Sequence, residues 1–219
     1  MLFAIGDVHG HFDKFEALMG HCRRLSETAE EDARFVLLGD YIDRGPSSSE
    51  VLAFLAAAPP NVQAIRGNHE DLMLRALDQP DDADLWYSNG GLETLVSYIA
   101  NSAADIPADH IALVRRLPLF IDDGLRLFVH AGIDVEDYGA RDPRTLMWTR
   151  KYPPDDAVLP RFVVHGHTPT RTRKPDLRPN RLNLDTGAGF GYALTAAVFQ
   201  DDIAEPLAFL DHRGDMTAL

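Results

Sequence analysis

The sequence predicts an α/β fold, and three observations carry that prediction. Apolar runs of strand length recur along the 219 residues, helical patterns separate the early ones, and the later ones crowd together with turns between them. The alternation in the first half implies parallel strands joined by crossover helices. The closer spacing from Leu125 onward implies a second, largely antiparallel sheet. A chain of this length, 45% hydrophobic, can bury a sizeable core, and residues 1–219 read as one domain.

The first run is Leu2–Ile5, followed by a helical pattern over Asp13–Ser26. Phe15, Met19, Cys22 and Leu25 fall on one stripe of that helix, so Cys22 is core filler rather than a nucleophile. Phe35–Leu38 and Val62–Ile65 are the next strands, followed by helical patterns at Ser47–Ala57 and Glu70–Leu77. Two more helical segments, Gly91–Ser102 and Ala108–Arg116, lead to the second half. There Leu125–Val129, Phe162–Val164, Leu182–Leu184, Thr195–Phe199 and Pro206–Leu210 read as strands. The Pro- and charge-rich pieces Gln79–Asp84, Lys151–Pro160 and Thr170–Asn180 read as exposed loops.

Composition excludes several classes. Twenty-one Lys+Arg against 34 Asp+Glu give a net charge of −13, a poor basis for binding nucleic acid. A single cysteine rules out an intrachain disulfide framework and fits a reducing compartment. The N-terminus lacks a basic leader, and no apolar stretch would span a membrane, so a cytoplasmic location is expected. Nothing marks an oligomer interface, and a monomer is expected.

Each early strand ends in polar chemistry. Ile5 opens into "GDVHG" (Asp7, His9), Leu38 into "GDYIDRG" (Asp40, Asp43, Arg44) and Ile65 into "RGNHE" (Asn68, His69, Glu70). Later, Val129 gives His130, and Val164 gives "HGH" (His165, His167). Ligands of open α/β sheets bind outside the carboxyl ends of the strands, where these clusters would converge. Asp7, His9, Asp40, Asn68, His130 and His167 offer oxygen and nitrogen donors and no thiolate. That set suits Mn²⁺, with Fe or Zn²⁺ as alternatives. Six ligands suit two ions about 3.5–4 Å apart sharing a carboxylate. A turn or cap role would account for any one of these residues taken singly, but not for five glycine-flanked clusters at strand ends.

These blocks, with the later "HAG" and "GHT", resemble the phosphoprotein phosphatase branch of the calcineurin-like metallophosphoesterases, in particular its compact bacterial and phage members. The resemblance spans Gly6 to about Gly187. It implies a two-sheet β-sandwich with flanking helices and a dinuclear metal site at the strand ends. It further implies that Asp7, His9 and Asp40 hold one ion, and that Asp40 bridges to a second held by Asn68, His130 and His167. Pro169 stands where the wider superfamily has a further histidine ligand, as in this branch. A phosphate-binding arginine implied by the family's Trp-x-Arg segment is Arg150, in "LMWTRKY".

The expected chemistry is phosphomonoester hydrolysis by direct attack of a metal-bridging hydroxide, with phosphoserine and phosphothreonine proteins or peptides as substrates and phosphotyrosine as an extension. His69 is the candidate general acid, Asp43 its orienting carboxylate, and Arg44 a phosphate-binding fork. The ions, Asp7, Asp40 and the two arginines sum to a local charge of roughly +4, enough to draw a phosphate dianion into an acidic protein. Glu70 is assigned to the helix dipole and His165 to a supporting strand-end position. Asp185 is left between a metal-supporting and a turn role, and His11, His21, His110 and His212 to solvated surface. Two alternatives stand beside this reading: a symmetrical diadenosine tetraphosphate hydrolase, and a catalytically inactive metal-bound scaffold. The presence of Asp43 and Glu70 favours the protein phosphatase over the former, and intact Asp43, His69 and Arg44 count against the latter.

Overall fold

Alternating apolar residues give the first strand, β1 (Leu2–Ile5), two buried faces: Leu2 and Ala4 join one hydrophobic cluster, Phe3 and Ile5 another. The computed structural model describes residues 1–57, 59–134 and 136–219. After β1 come α1 (Phe12–Thr28), β2 (Arg34–Leu37), α2 (Ser48–Ala56), β3 (Val62–Ala64) and α3 (Asn68–Asp78). The chain continues through α4 (Ala83–Trp86), α5 (Leu92–Tyr98) and α6 (Ala108–Arg116). It then enters β4 (Phe120–Asp122), β5 (Arg126–Val129), α7 (Pro143–Trp148) and β6 (Phe162–His165). It ends with β7 (Asp176–Arg178), β8 (Arg181–Asn183), β9 (Thr195–Phe199), β10 (Ala208–Asp211) and β11 (Met216–Ala218).

Two mixed sheets result, of order β11-β10-β9-β1-β2-β3 and β4-β5-β6-β8-β7. Leu2, Ala4, Val36 and Phe199 of the first sheet pack against Phe128, Val164 and Leu182 of the second, forming the inner layer of a sandwich. The opposite face of the first sheet carries Phe3, Ile5, Phe35 and Leu37 and is covered by Phe15, Leu18 and Met19 of α1 with Val51 and Leu52 of α2. Cys22 belongs to this layer, and burial pushes its thiol up to about 12. Leu146 of α7 packs with Leu127, Val129 and Val163 outside the second sheet.

The expected antiparallel second sheet is corrected. β5, β6 and β8 run parallel, and only the edge strands β4 and β7 are antiparallel to their neighbours. The antiparallel strands β9, β10 and β11 instead extend the first sheet, with β9 beside β1. Short spacing misled because β8 and β9, neighbours in the chain, lie in different sheets. The Thr170–Asn180 segment is likewise not wholly loop, since it contains β7. The pattern expected to run as helix over Gly91–Ser102 stops at Tyr98, where Ile99 turns left-handed with φ 54°.

Candidate metal centre

β1, β2, β3, β5 and β6 end at one edge of the sandwich, and the residues that follow them meet there. Asp40 lies at the middle. Its Oδ2 is 3.6 Å from His9 Nε2 and 3.9 Å from His69 Nε2, and its Oδ1 is 3.3 Å from His130 Nε2. His9, Asp40 and His69 each offer a donor atom within 4.8 Å of the other two, as do Asp40, His130 and His167, so one carboxylate serves two groupings. Asn68 Oδ1 closes the second, 2.9 Å from His130 Nε2 and 2.8 Å from His167 Nδ1. Asp7 enters neither grouping, although its Oδ2 accepts from the His167 amide at 3.0 Å.

The backbone is bent to make this convergence. Among the described residues, five of the eight non-glycine residues with positive φ are His9, Asp40, Asp43, Arg44 and His167. Side chains at such angles crowd their own backbone, and the strain persists only where surrounding structure enforces it. Gly39, at φ 96°, has no room for a side chain, because a Cβ would lie 2.7 Å from the Gly67 nitrogen.

Donor chemistry and electrostatics fit divalent cations. The His9 Nδ1 hydrogen bonds to the Ile42 carbonyl at 3.0 Å and His130 Nδ1 to that of Leu38 at 2.8 Å, which turns each Nε2 toward the cluster. Asp7 Oδ1 and His167 Nε2 are buried without a hydrogen-bond partner among the described residues. Burial and the nearby Asp185 raise the Asp7 carboxyl well above its usual range. Burial and then Asp40 raise Asp185 to about 6 against the pull of its Gly187 hydrogen bond. Burial opposes charge on His130 too, yet Asp40 and Asp7 carry it up to about 10, so a proton supplies positive charge that the cluster demands. His9 is lowered by burial and His69, and His167 falls to about 3 through burial and His130, leaving both rings neutral and able to ligate.

Beside Asp40 stands a dyad. His69 Nδ1 is 2.6 Å from Asp43 Oδ2, and Asp43 is fixed in turn by Trp86 Nε1 at 3.0 and 3.1 Å and by Thr94 Oγ1 at 2.7 Å. Burial works against the His69 charge, but Asp40 and Asp43 outweigh it and raise its pKa. Burial likewise raises Asp43 despite its bond to His69. Arg44 reaches over the edge of the first grouping, with Nη1 2.6 Å from His9 Nε2 and Nη2 2.9 Å from His69 Nε2.

A family model described as calcineurin-like phosphoesterase matches residues 2–199. The chain belongs to this family. It is 33% identical over 213 residues to serine/threonine-protein phosphatase 1 of Salmonella typhimurium, covering 91% of this chain and 92% of that protein. It is 29% identical over 225 residues to the asymmetrical bis(5'-nucleosyl)-tetraphosphatase PrpE of Bacillus velezensis, covering 90% and 88%. Among solved structures, the cold-active protein-tyrosine phosphatase of a psychrophilic Shewanella species superposes with a TM-score of 0.63 at 17% identity, covering 100% of this chain and 80% of that one. That likeness is one of fold. Among the described residues, no helix is long and apolar enough to cross a membrane.

Within this calcineurin-like site, Arg150 is exposed and has no hydrogen-bond partner among the described residues. His165 is buried but stacks on Tyr152, centroids 4.9 Å apart, rather than touching the cluster. Asp185 Oδ1 accepts from the Gly187 amide at 3.0 Å, the turn role of its two readings. His110 is not solvated surface: it is buried and shares a 2.6 Å hydrogen bond with the Tyr98 hydroxyl. Glu70 does more than face a helix dipole. Its carboxylate accepts from the amides of Asp40 and Gly67, both at 2.9 Å, and of Tyr41 at 2.7 Å, bracing the Asp40 loop against α3. Trp86 and Thr94, which hold Asp43, were missed by sequence reasoning because neither sits in a motif or at a strand end.

Proposed function

We propose that the protein dephosphorylates phosphoserine and phosphothreonine in proteins or peptides, using two divalent ions, manganese by the oxygen and nitrogen character of the donors. Asp7, His9 and Asp40 would hold one ion, and Asp40, Asn68, His130 and His167 the other. Such ions lower the pKa of a bound water and polarise phosphoryl oxygens. The chain's own groups complete the reaction. Arg44 offers a planar fork to phosphoryl oxygens, with Arg150 as a second, exposed arginine, and His69 gives its proton to the departing oxygen while Asp43 holds the ring.

One observation carries this reading: the His69–Asp43 pair, fixed by Trp86 and Thr94. A serine alkoxide is a poor leaving group and needs a proton at departure, whereas a nucleotide leaves as a stable anion. A buried, braced acid is therefore most useful for an alkyl ester.

A second reading, hydrolysis of dinucleoside tetraphosphates, draws on the PrpE relative and on a groove of about 510 Å³ lined by Arg144, Trp148 and Lys151 together with Asp134 and Glu136. Trp148 lies beside His167, ring centroids 6.5 Å apart, so the groove adjoins the cluster. The relative's name also shifts this alternative from the symmetrical to the asymmetrical reaction.

Metal-stripped protein is tested with and without added Mn²⁺ on a phosphoserine peptide, an aryl phosphate and diadenosine tetraphosphate. The expected outcome is no turnover without metal and the highest kcat/KM on the peptide with it. A higher kcat/KM on the tetraphosphate would replace the first reading by the second.

A further inference from the structure

Most arginines of this acidic chain that have a strong partner spend their charge on a carboxylate, as Arg75 does on Asp71 and Arg161 on Asp122. Arg44 is held differently. Its guanidinium carbon lies 4.8 Å from the centroid of Phe190, a ring that is 56% exposed, and it makes no salt bridge to a carboxylate among the described residues. An aromatic face attracts a cation without occupying its N–H donors; in Arg44 two of those donors meet the His9 and His69 rings and none is taken by a carboxylate among the described residues.

Arg173 repeats the arrangement on the same turn. Its guanidinium carbon lies 4.5 Å from the centroid of Tyr192, two residues beyond Phe190, and among the described residues it too has no salt bridge. Its Nη1 is buried with no hydrogen-bond partner among them. Its backbone is left-handed, φ 57°, the same costly conformation found at His9, Asp40 and Arg44. Arg173 comes from the "TRTRKPDLRPN" segment, to which the phosphoesterase chemistry assigns no part.

The turn carrying both rings is pinned by hydrogen bonds and lies next to the cluster. Lys14 Nζ donates to the Tyr192 carbonyl at 2.8 Å and the Ala188 carbonyl at 3.3 Å, while Gly187 and Gly191 adopt φ 90° and 85°. A Cβ on Gly189 would lie 2.6 Å from the His9 ring, and one on Gly187 would lie 3.0 Å from Arg173 Nη1. Two peptide units, at most about 7.6 Å of chain, separate these two contacts.

We infer that Arg173, shelved on Tyr192, is a second oxyanion-binding arginine that takes an anionic group of the substrate, a further phosphate or a carboxylate, lying beyond the scissile phosphate. The inference rests on the phosphoesterase reading of the site but not on which ester is the natural substrate. Inorganic phosphate and inorganic tripolyphosphate are compared as competitive inhibitors of aryl-phosphate hydrolysis, with free Mn²⁺ held constant. Arg173→Gln is expected to cut the ratio of tripolyphosphate to phosphate affinity about tenfold, the scale of a charge-assisted phosphate contact. Tyr192→Leu should follow it in the same direction, and Tyr192→Phe should keep the ratio. An unchanged ratio in Arg173→Gln overturns the inference, as does equal weakening of both ions, which would mean that the turn itself had shifted. If aryl phosphate is not hydrolysed at all, the phosphoesterase reading fails, and titration calorimetry of the two ions still decides the Arg173 inference.

Discussion

The two ends of the parallel strands are built on opposite rules. At their amino ends charges are matched: Arg34 of β2 pairs with Asp201, Arg126 of β5 with Asp123 at 2.8 Å, and Arg161, just before β6, with Asp122 at 2.9 Å. At their carboxyl ends Asp7, Asp40, Asp43, Glu70 and Asp185 are buried together with four histidines, and several shift far from their usual protonation. The first arrangement satisfies itself. The second is complete only with added positive charge, which is what a site for cations and phosphate requires. The difference teaches where to look in such a sandwich: polar groups that lack neutralising partners mark function, and paired ones mark surface.

The largest expected effect comes from the dyad. His69→Asn keeps a polar side chain near Asp40 but removes the transferable proton. Turnover of a phosphoserine peptide should fall by about 10²- to 10⁴-fold, the usual worth of general acid catalysis. Hydrolysis of a 4-nitrophenyl ester should fall much less, since that leaving group departs without a proton. Equal losses on both esters, measured as kcat, would remove the acid role and leave His69 as a group that only shapes the Asp40 grouping.

How much of this contrast was legible in the sequence follows from physics rather than luck. Asp7, His9, Asp40, Asn68, His130 and His167 were readable as candidates because each lies within four residues of the end of an apolar run, where a strand gives way to the loop at its mouth. β1, β2 and β3 were readable for the same reason. The partners of Asp43 were not, because Trp86 and Thr94 reach it through tertiary packing from α4 and α5. Nor was the destination of β9, since sequence spacing does not say which sheet a strand joins. The left-handed backbone at His9, Asp40 and His167 left no trace either, as neither histidine nor aspartate marks that conformation the way glycine does. Glu70 was visible at the third position of α3 but was underread. Its back-bond to the Gly67 amide is half of a capping arrangement, and its contacts with the Asp40 loop are long-range.

A smaller effect, on stability, is expected at Glu70. Among the described residues its close partners are all amide N–H donors, so only acceptor oxygens satisfy them. Glu70→Gln turns one oxygen into an NH₂ group facing a donor and leaves a buried amide unpaired. The cost should be roughly 1–3 kcal/mol, read as a lower urea midpoint of the metal-free protein at unchanged m value. A midpoint equal to that of the parent would show that the Asp40 loop holds its shape without this brace. The contrast between the two ends would then weaken, because the carboxyl end would need less internal support than its geometry implies.

The smallest effect belongs to the amino ends. Arg34 and Asp201 are both largely solvent-exposed, 50% and 71% by side chain, so water screens their attraction and the loss of side-chain freedom offsets much of it. Arg34→Ala should cost about 0–1 kcal/mol, and kcat/KM on any phosphate ester should stay within experimental scatter, because the strand's far end holds Asp40. Raising salt to about 1 M, where the Debye length is about 3 Å, should erase even that cost. A loss of activity in Arg34→Ala without a matching loss of stability would mean that β2 transmits strain along its length to the Asp40 turn. The two ends would then be one mechanical unit rather than two independent designs.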